Sequence, residues 1–407
     1  MKYCVIILDG ASGWPHTDLE MVTSLQAAAT PNLDRLAREG LLGMARTVPP
    51  GMEPSSAAAC TSILGYDPIA DAVGRGAIEA AAMGIRLGPD EVALRMNLVT
   101  IEDHVMRSYA CGHIDTAESS RLTRELDAAL GGGELRFYPG VAYRHILVVR
   151  GHPELMDLAY TPPHDISDVA IAEHLPKGPG SGLLIDLMAR ARPVLANSRV
   201  NAERLERGDL PATDIWTFWP GSAPKDLTPF SKRTGLSAAM TSGVDLLNGL
   251  AVLTGIDRLA IAGVTDGSDN DYAAQAVGAL AALGNHDLVV IHVESPDEEG
   301  HMGDAAGKKA AIEAIDREVV SRVIGHEAAF GEPVRVLAMP DHPTPIELRT
   351  HVGEPVPFVI WGPGVASNDG DAFDEASADA TGLVLDPGRQ VMDVLLAEHP
   401  NIAAATP

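Results

Sequence analysis

Short apolar runs recur along the chain and predict a set of buried strands. Four of these runs cover residues 5–8, 288–293, 334–339 and 356–361. Runs of about four to eight apolar residues bounded by turn residues are typical of strands that are buried on both faces. A further strand is predicted over residues 259–264.

Segments with helical spacing lie between these predicted strands. Residues 308–324 carry apolar side chains at helical spacing, and Pro31 marks the start of another helix. We predict helices over residues 236–253 and 272–283 as well, and a loop over residues 366–379. Strands that alternate with helices predict an α/β fold whose mostly parallel sheet is covered by helices on both faces.

Acidic residues and histidines lie near the ends of the predicted strands. They are Asp9, Asp297, His301, Asp341, His342 and His351. Ligands collect at the carboxyl ends of strands in an open α/β sheet, so residues that are distant in sequence can share one site. The spacing Asp297-x-x-x-His301 lets one carboxylate and one imidazole converge on a divalent cation.

Each of these six residues also has a simpler explanation. A histidine beside a strand is more often a surface or core residue than a ligand, and an Asp-His pair often forms a turn. Together, however, the six residues form a mixed oxygen and nitrogen set that suits two ions of the manganese or zinc kind. The combination therefore predicts a metal site.

A serine is predicted at the N-terminus of a helix. A turn-rich segment, residues 48–56, ends in Ser55-Ser56 and is followed by a run of small residues. Serine is a preferred helix cap, which suits one of the two serines, with Ser55 as the first candidate. The other serine is a candidate nucleophile, because a helix N-terminus favours a phosphate and a nearby cation activates a hydroxyl. Spacing alone does not choose between the two.

Composition excludes several classes of partner. The chain has 407 residues and a formal net charge of -26, which disfavours nucleic acid and anionic membranes because both need a basic surface. The apolar runs are shorter than the roughly 18 residues of a membrane span.

Cys4, Cys60 and Cys111 are few and odd in number, which argues against a disulfide framework and favours a cytoplasmic location. A small anionic substrate remains compatible, and the oligomeric state is not indicated.

A chain of this length is expected to form more than one hydrophobic core. Residues 87–224 contain their own strand and helix candidates and carry most of the arginines and histidines outside the predicted metal site. We therefore expect either one large domain with an insertion or two domains, with residues 87–224 distinct from the flanking residues 1–86 and 225–407.

Motifs of one enzyme family occur in order along the chain. They include Gly74-Arg75-Gly76-Ala77-Ile78-Glu79-Ala80, Phe137-Tyr138-Pro139-Gly140-Val141-Ala142-Tyr143-Arg144-His145, Pro162-Pro163-His164-Asp165-Ile166, Pro296-Asp297-Glu298-x-Gly300-His301 and Asp341-His342. On these residues the chain resembles the archaeal-type cofactor-independent phosphoglycerate mutases, metalloenzymes of the alkaline phosphatase superfamily. The resemblance covers almost the whole chain. It implies a discontinuous alkaline phosphatase-like core of residues 1–86 and 225–407, with residues 87–224 as an inserted α/β substrate domain.

The resemblance also implies the role of each metal-site residue. It assigns one ion to Asp297, His301 and His351, and the other to Asp9, Asp341, His342 and the nucleophilic serine. Counting back from Leu64-Gly65-Tyr66-Asp67-Pro68, that serine is Ser56 rather than Ser55. Two divalent ions are expected, manganese first with zinc or cobalt as alternatives, and no 2,3-bisphosphoglycerate.

The inserted domain is implied to bind the substrate and to close on the core. Its candidate substrate contacts are His113, Arg144, His145, His164, Asp165 and Arg204, with Arg75 and Lys232 as further options. Arginine is favoured because its guanidinium makes bidentate contacts with carboxylates and phosphates.

Two segments depart from the family pattern. The family usually has Pro-Gly-Ser-Asp at the nucleophile, where this chain has Pro54-Ser55-Ser56-Ala57. A Gly-Ala-Thr-Gly segment appears here as Gly263-Val264-Thr265-Asp266-Gly267. Neither change removes an expected metal ligand, but both affect the expected handling of the substrate.

The implied activity is the interconversion of 3-phosphoglycerate and 2-phosphoglycerate through a phosphoserine on Ser56, with His113 or Asp165 as acid and base. One alternative is a phosphatase or another phosphotransferase on the same core, for example one that acts on homoserine, because water that reaches the phosphoserine turns a mutase into a hydrolase. Another is a non-catalytic sensor that binds metal or phosphoglycerate.

Overall fold

The computed structural model describes residues 1–224, 227–325 and 331–400, which fall into two compact units. The first unit is Met1–Ala72 with Asp226–Pro407, and the second is Val73–Lys225. Within the described residues, no helix combines the length and the apolar character that a membrane span requires.

The strands and helices are numbered in chain order. The strands are β1 Lys2–Leu8, β2 Leu41–Ala45, β3 Glu91–Glu102, β4 Val105–Ser108, β5 Leu135–Tyr138, β6 Arg144–Arg150, β7 Asp214–Ser222, β8 Ala238–Thr241, β9 Asp257–Arg258, β10 Leu288–Val293, β11 Val334–Met339, β12 Val356–Trp361 and β13 Val384–Leu385. The helices are α1 Ser24–Ala27, α2 Pro31–Glu39, α3 Ser56–Ile63, α4 Arg75–Ala82, α5 Thr116–Leu130, α6 Ser181–Ala196, α7 Arg199–Arg207, α8 Phe230–Thr234, α9 Asp245–Thr254, α10 Tyr272–Ala282, α11 Ser295–Met302, α12 Ala305–Ile315, α13 Ser321–Ile324, α14 Glu375–Ala380 and α15 Gln390–Leu396.

The first unit is built on one large sheet. In the described residues its strand order is β13-β2-β12-β11-β1-β10-β8-β9. β12 is antiparallel to β2 and β11, and the other neighbouring pairs are parallel. β1 lies between β10 and β11, with Leu8 opposite Val293 and Ile7 opposite Met339. The predicted α/β fold with a mostly parallel sheet is confirmed.

Helices cover both faces of this sheet. On one face, Cys4, Ile6 and Leu8 of β1 join a buried apolar cluster with residues of α2, α10, α12 and α14. On the other face, α9 packs on β8 and α15 packs on β11, and both contact α3. Side chains alternate along each strand, so every β1 residue from Cys4 to Leu8 is buried against one layer of helices or the other.

Three sequence predictions in this unit were wrong in detail. Residues 236–253 do not form one helix: β8 pairs with β10 in parallel, and α9 begins only at Asp245. Residues 259–264 do not form a strand, because pairing with β8 is limited to β9. The predicted loop over residues 366–379 contains the start of α14, which Asp374 caps by accepting a hydrogen bond from Ser377 N at 2.9 Å.

The second unit mixes helices with an antiparallel sheet. In its described part the sheet has the order β4-β3-β6-β5, and β7 pairs with β3. α5 and α6 contribute to a buried apolar core with Leu94, Met96 and Trp216. α4 packs on β3 and β7 and belongs to this unit, so the unit begins at Val73, earlier than the boundary predicted at residue 87.

Candidate metal centre

The order of the central strands brings acidic residues and histidines together. Asp9 follows β1 directly, and its N–H donates to Val293 O, the last residue of β10, at 3.0 Å. Asp341 follows β11, and its Oδ1 accepts a hydrogen bond from Gly10 N at 3.1 Å. Because β10, β1 and β11 are adjacent and parallel, their carboxyl ends meet at one edge of the sheet.

The first cluster consists of Asp297 and His301 from α11 and His351 from the segment before β12. Oδ2 of Asp297 lies 3.1 Å from Nε2 of His301 and 3.5 Å from Nε2 of His351. The two Nε2 atoms are 2.9 Å apart. One carboxylate and two imidazoles thus converge on one point.

Backbone carbonyls orient both imidazoles of the first cluster. Nδ1 of His301 lies 2.9 Å from Arg349 O, and Nδ1 of His351 lies 3.3 Å from Pro54 O. A carbonyl oxygen only accepts, so each Nδ1 carries a proton and each Nε2 faces the other ring and Asp297. Two nitrogen atoms and a carboxylate at these distances require a cation or a proton between them. The hydrogen bond with Asp297 raises the pKa of His301 to about 9, so a divalent cation that binds here displaces a proton.

The second cluster consists of Asp9, Asp341, His342 and Ser56. Nε2 of His342 lies 3.2 Å from Asp341 Oδ2, 3.6 Å from Asp9 Oδ1 and 3.2 Å from Ser56 Oγ. Asp9, Asp341 and His342 are completely buried. Asp297 also lies near this cluster, since it forms a close set of ligand atoms with Asp9 and His342.

Buried negative charge makes the second cluster a fit for cations. Oδ1 of Asp9 has no hydrogen-bond partner among the described residues, although it is inaccessible to solvent. Burial raises the pKa of Asp9 well above its usual range, and the carboxylates of Asp341 and Asp297 raise it further. Burial also lowers the pKa of His342, so this imidazole is neutral and free to act as a ligand. Mixed carboxylate and imidazole donors with an unpartnered oxygen fit a divalent ion.

Ser55 and Ser56 have different environments. Ser55 is the N-cap of α3, and its Oγ accepts a hydrogen bond from Ala58 N at 3.3 Å. Ser56 is the first residue of α3, and its hydroxyl faces His342 instead. The choice that spacing left open therefore has a geometric answer: the capping role falls to Ser55, and the hydroxyl of Ser56 lies in the second cluster.

Two buried residues near Asp9, His292 and Glu294, were not among the predicted ligands. Nε2 of His292 lies 2.7 Å from Asp9 Oδ2, and Nδ1 of the same ring lies 3.0 Å from Ser242 Oγ. Glu294 is buried nearby, and burial followed by the charge of Asp9 raises its pKa well above the usual range. The signal was present, because a histidine within the apolar run of β10 has to find a buried partner.

Lys308 and Thr344 were also missed. Lys308 is completely buried, and its Nζ donates to Ser12 O at 3.1 Å and to Thr344 O at 2.7 Å. Burial lowers the pKa of Lys308 to about 8. The sequence predicted only that this lysine begins a helix, because hydrogen bonds to two distant loops leave no local pattern.

The structure separates the predicted substrate contacts of the second unit into different environments. His113, Arg144, His164 and Asp165 are exposed. His145 is buried: its Nδ1 accepts a hydrogen bond from Gly140 N at 3.0 Å, and its Nε2 has no partner in the described part of the chain. Burial, with the charge of Arg95 added, lowers the pKa of His145 to about 3.

Arg204 has a different environment from the other predicted substrate contacts. It is buried, it pairs with Glu118, and it donates to Cys111 O at 2.7 Å and to Leu210 O at 2.9 Å. Its guanidinium is thus engaged within the unit. The structure does not place it as a free substrate contact.

A group of arginines around Trp219 was only partly anticipated. The guanidinium of Arg75 lies 3.6 Å from the centre of the Trp219 ring, and the ring of His164 lies 5.8 Å from it. Arg95 pairs with Glu79, whose other oxygen lies 3.0 Å from Arg75 Nε. Burial lowers the pKa of Arg75, and repulsion from Arg95 and Arg144 adds to this shift. Arg75, Arg95 and Arg144 carry three positive charges against the one carboxylate of Glu79, and we call these three arginines the cationic cluster of the second unit.

Comparison with known proteins places the chain in one family. Residues 37–201 match a family described as 2,3-bisphosphoglycerate-independent phosphoglycerate mutase. The chain is 46% identical over 397 residues to the protein of that name from Methanothrix thermoacetophila, covering 98% of this chain and 100% of that protein. It is 44% identical to a protein named as a probable enzyme of the same kind from Geobacter sulfurreducens, covering 97% of this chain and 100% of that protein.

Two solved structures share the fold of this chain, and one of them carries the name of the family. A Pyrococcus horikoshii protein superposes with a TM-score of 0.82 at 26% identity, covering 100% of this chain and 98% of that one. The cofactor-independent phosphoglycerate mutase from Thermoplasma acidophilum superposes with a TM-score of 0.68 at 27% identity, covering 97% and 99%. The chain therefore belongs to the family of 2,3-bisphosphoglycerate-independent phosphoglycerate mutases.

Proposed function

We propose that this protein interconverts 3-phosphoglycerate and 2-phosphoglycerate through a phosphoserine on Ser56, without 2,3-bisphosphoglycerate. The observation that carries the proposal is the hydroxyl of Ser56, which begins α3 and lies 3.2 Å from His342 within the second cluster. Relatives that are 46% and 44% identical over nearly the whole chain carry the name of this activity, and the phosphatase or homoserine alternative is not favoured.

The metal-binding part of the proposal assigns one divalent ion to each cluster. Asp297, His301 and His351 would hold one, and Asp9, Asp341, His342 and Ser56 would hold the other. When bound, the ions neutralise charge on the transferred phosphoryl group and lower the pKa of the serine hydroxyl. Manganese is the first choice, and zinc and cobalt suit the same donors.

The chemistry consists of two in-line displacements at phosphorus. Ser56 Oγ attacks the phosphorus of 3-phosphoglycerate, the bond to the oxygen on carbon 3 breaks, and that oxygen takes up a proton. The free 2-hydroxyl of glycerate then attacks the phosphoserine, loses its proton, and Ser56 leaves with the electron pair of the broken bond. The N–H groups of the first turn of α3 stabilise the phosphoryl oxygens. His113 and Asp165 are the proposed acid and base.

A mutase must retain glycerate between the two steps, and the second unit carries groups of suitable charge. Arg75 and His164 lie beside Trp219, and the charges of Arg95 and Arg144 act on Arg75. The three arginines outnumber the one carboxylate, Glu79, that pairs with two of them, and a guanidinium pairs well with a carboxylate. We assign the carboxylate of the substrate to this cationic cluster. Arg204 is left out, because its donors are already satisfied within the unit.

Cytoplasmic location is also part of the proposal. It is supported by Cys4, Cys60 and Cys111, which are buried free thiols.

Adjacent serines provide the test and its control. Protein reconstituted with manganese is given 3-phosphoglycerate, and 2-phosphoglycerate and inorganic phosphate are followed in parallel. We expect isomer without phosphate, abolished in Ser56→Ala and retained in Ser55→Ala, which loses only the helix cap. Phosphate release as the main product would make the protein a phosphatase. Unchanged turnover in Ser56→Ala would exclude Ser56 as the nucleophile.

A further inference from the structure

The side chain of Thr344 contacts one residue of each cluster. Its Oγ1 is hydrogen-bonded to Oδ1 of Asp297, in the first cluster, and lies 3.3 Å from Nδ1 of His342, in the second. Thr344 is completely buried. A hydroxyl has one proton to donate, so these two contacts must differ in direction.

The direction of each hydrogen bond follows from the partners. Asp297 accepts through its carboxylate, so the hydroxyl of Thr344 donates its proton there. The same oxygen can then only accept from His342, which places a proton on Nδ1 of that ring. Nε2 of His342 is left with its lone pair toward Asp341, Asp9 and Ser56. The opposite tautomer would place a proton where a cation has to bind.

The contact with Thr344 also separates the roles of the two carboxylate oxygens of Asp297. Oδ1 is occupied by Thr344, and Oδ2 faces the Nε2 atoms of His301 and His351. One hydroxyl therefore fixes the ligand orientation of Asp297 and the tautomer of His342 at once.

Thr344 is held firmly enough to perform this role. Its N–H donates to Ser12 O at 3.0 Å, and its carbonyl accepts from Lys308 Nζ at 2.7 Å. Its methyl group lies against Gly300, where an added Cβ would come within 2.9 Å of Thr344 Cγ2. An added Cβ at Gly10 would come within 2.7 Å of Thr344 Oγ1. The side chain is thus enclosed on two sides by glycines and anchored through its backbone.

We propose that Thr344 is a positioning residue that prepares both clusters for their ions. The inference rests on the proposed metal centre. Partners of metal ligands are commonly worth a factor of about 10–100 in metal affinity. A residue that serves two ligands in different clusters should therefore affect both binding events.

A matched pair of variants separates the hydroxyl from the methyl group. Thr344→Val keeps the shape and removes the hydroxyl, and Thr344→Ser keeps the hydroxyl and removes the methyl group. Metal-depleted protein is titrated with manganese alone by calorimetry, after circular dichroism has established that each variant is folded. We expect the valine variant to lose about 10–100-fold in affinity for both ions, and the serine variant to stay within about threefold of the parent.

A second readout reports the tautomer directly. The ¹⁵N chemical shifts of the labelled His342 ring should show the proton on Nδ1 in the parent and in Thr344→Ser. Unchanged manganese affinity in the valine variant, or an equal loss in both variants, would overturn the proposal. If the valine variant does not fold, the serine variant and the tautomer still test the proposal. Weak manganese binding in Thr344→Ser, or a proton on Nε2 of His342 in the parent, would also overturn it. Because phosphoglycerate is absent, two tightly bound ions without mutase turnover would refute the proposed activity and leave this inference intact.

Discussion

Nε2 of His301 and Nε2 of His351 lie 2.9 Å apart, although His301 belongs to α11 and His351 to the segment before β12. Both rings are turned by backbone carbonyls, and both nitrogens face Oδ2 of Asp297. This arrangement is stable only with a positive charge at its centre. Asp297, His301 and His351 are each only a weak indication of a metal site, but this geometry makes them one candidate site.

Removal of His351 should cost one ion rather than two. His351→Ala deletes a ligand of the first cluster and leaves Asp9, Asp341 and His342 in place. We expect the manganese stoichiometry by calorimetry to fall from two to one, and turnover to fall at least about 100-fold because both ions act on the phosphoryl group. His286→Ala, which removes a histidine paired with Asp257, is the control and should keep both ions. Retention of two ions in His351→Ala would contradict the assignment.

Asp9 should destabilise the metal-free protein. Its carboxylate is buried beside Asp341 and Asp297, and Oδ1 has no partner among the described residues. Asp9→Asn removes a carboxyl group whose ionised form the metal-free fold disfavours, while the amide oxygen can still accept from His292. In EDTA we expect the variant to be more stable than the parent by about 1 kcal/mol or more, a rise in Tm of about 2–4 °C.

Manganese should reverse this order. Ions that bind only the folded parent stabilise it by mass action, by about 2.7 kcal/mol at a hundredfold excess over Kd. Asp9→Asn should lose most of this gain, because a ligand of the second cluster is gone. Thermal melts of both proteins with EDTA and with manganese check the prediction. If the variant is less stable than the parent in EDTA, the buried carboxyl group of Asp9 does not destabilise the metal-free protein.

Much of the core sheet could be predicted from the sequence, because its central strands are continuous apolar runs. β10, β11 and β12 have the predicted bounds. The prediction failed at residues 236–253, where Ala238, Ala239 and Met240 suit a helix by intrinsic preference but pair with β10 as a strand. Contacts with a neighbouring strand outweighed local preference there, and such contacts are not visible in the local sequence.

The convergence of the candidate ligands was predictable to a similar degree and for a related reason. Asp9, Asp297 and Asp341 lie near the ends of strands that the pattern had identified, so the topology brought them together. Thr344 and Arg204 could not be assigned in this way. Whether a hydroxyl links two ligands, or a guanidinium is already satisfied by Glu118 and backbone carbonyls, depends on hydrogen bonds between distant segments.

His145 should make the second unit sensitive to acid. Burial lowers its pKa to about 3, whereas an unfolded histidine has a pKa of about 6.5. The unfolded state therefore binds the proton first, and stability falls as the pH drops below about 6.5 until the folded pKa is reached. At pH 5 the expected loss from this residue is about 2 kcal/mol.

Comparison of two proteins isolates this contribution. His145→Asn keeps an acceptor for Gly140 N, because its Oδ1 is attached to Cγ as Nδ1 of the imidazole is, and it does not titrate. Urea unfolding of parent and variant at pH 7 and pH 5 should show a parent that loses about 2 kcal/mol more than the variant on acidification. Equal losses in both proteins would mean that His145 is not neutral in the folded state.

Arg75 should contribute to substrate affinity and not to metal binding. Its guanidinium stacks on Trp219 within the cationic cluster, so Arg75→Met removes a charge from the proposed carboxylate site. We expect KM for 3-phosphoglycerate to rise about tenfold or more, since a hydrogen bond to a charged group is worth about 1.5–3 kcal/mol. Two manganese ions should remain bound. Arg121→Met, an exposed arginine on α5, is the control, and an unchanged KM in Arg75→Met would remove this cluster from the substrate site.

Arg204 should act on stability rather than on substrate affinity. Arg204→Met leaves Glu118 and the carbonyls of Cys111 and Leu210 without their buried donors, which is expected to cost about 3–5 kcal/mol. Arg207→Met is a matched control, because Arg207 pairs with the other oxygen of Glu118 but is half-exposed, so its removal should have little effect. Urea unfolding and hydrogen exchange of the α5 and α7 amides measure the difference. A large rise in KM with unchanged stability in Arg204→Met would instead restore this arginine to the substrate site.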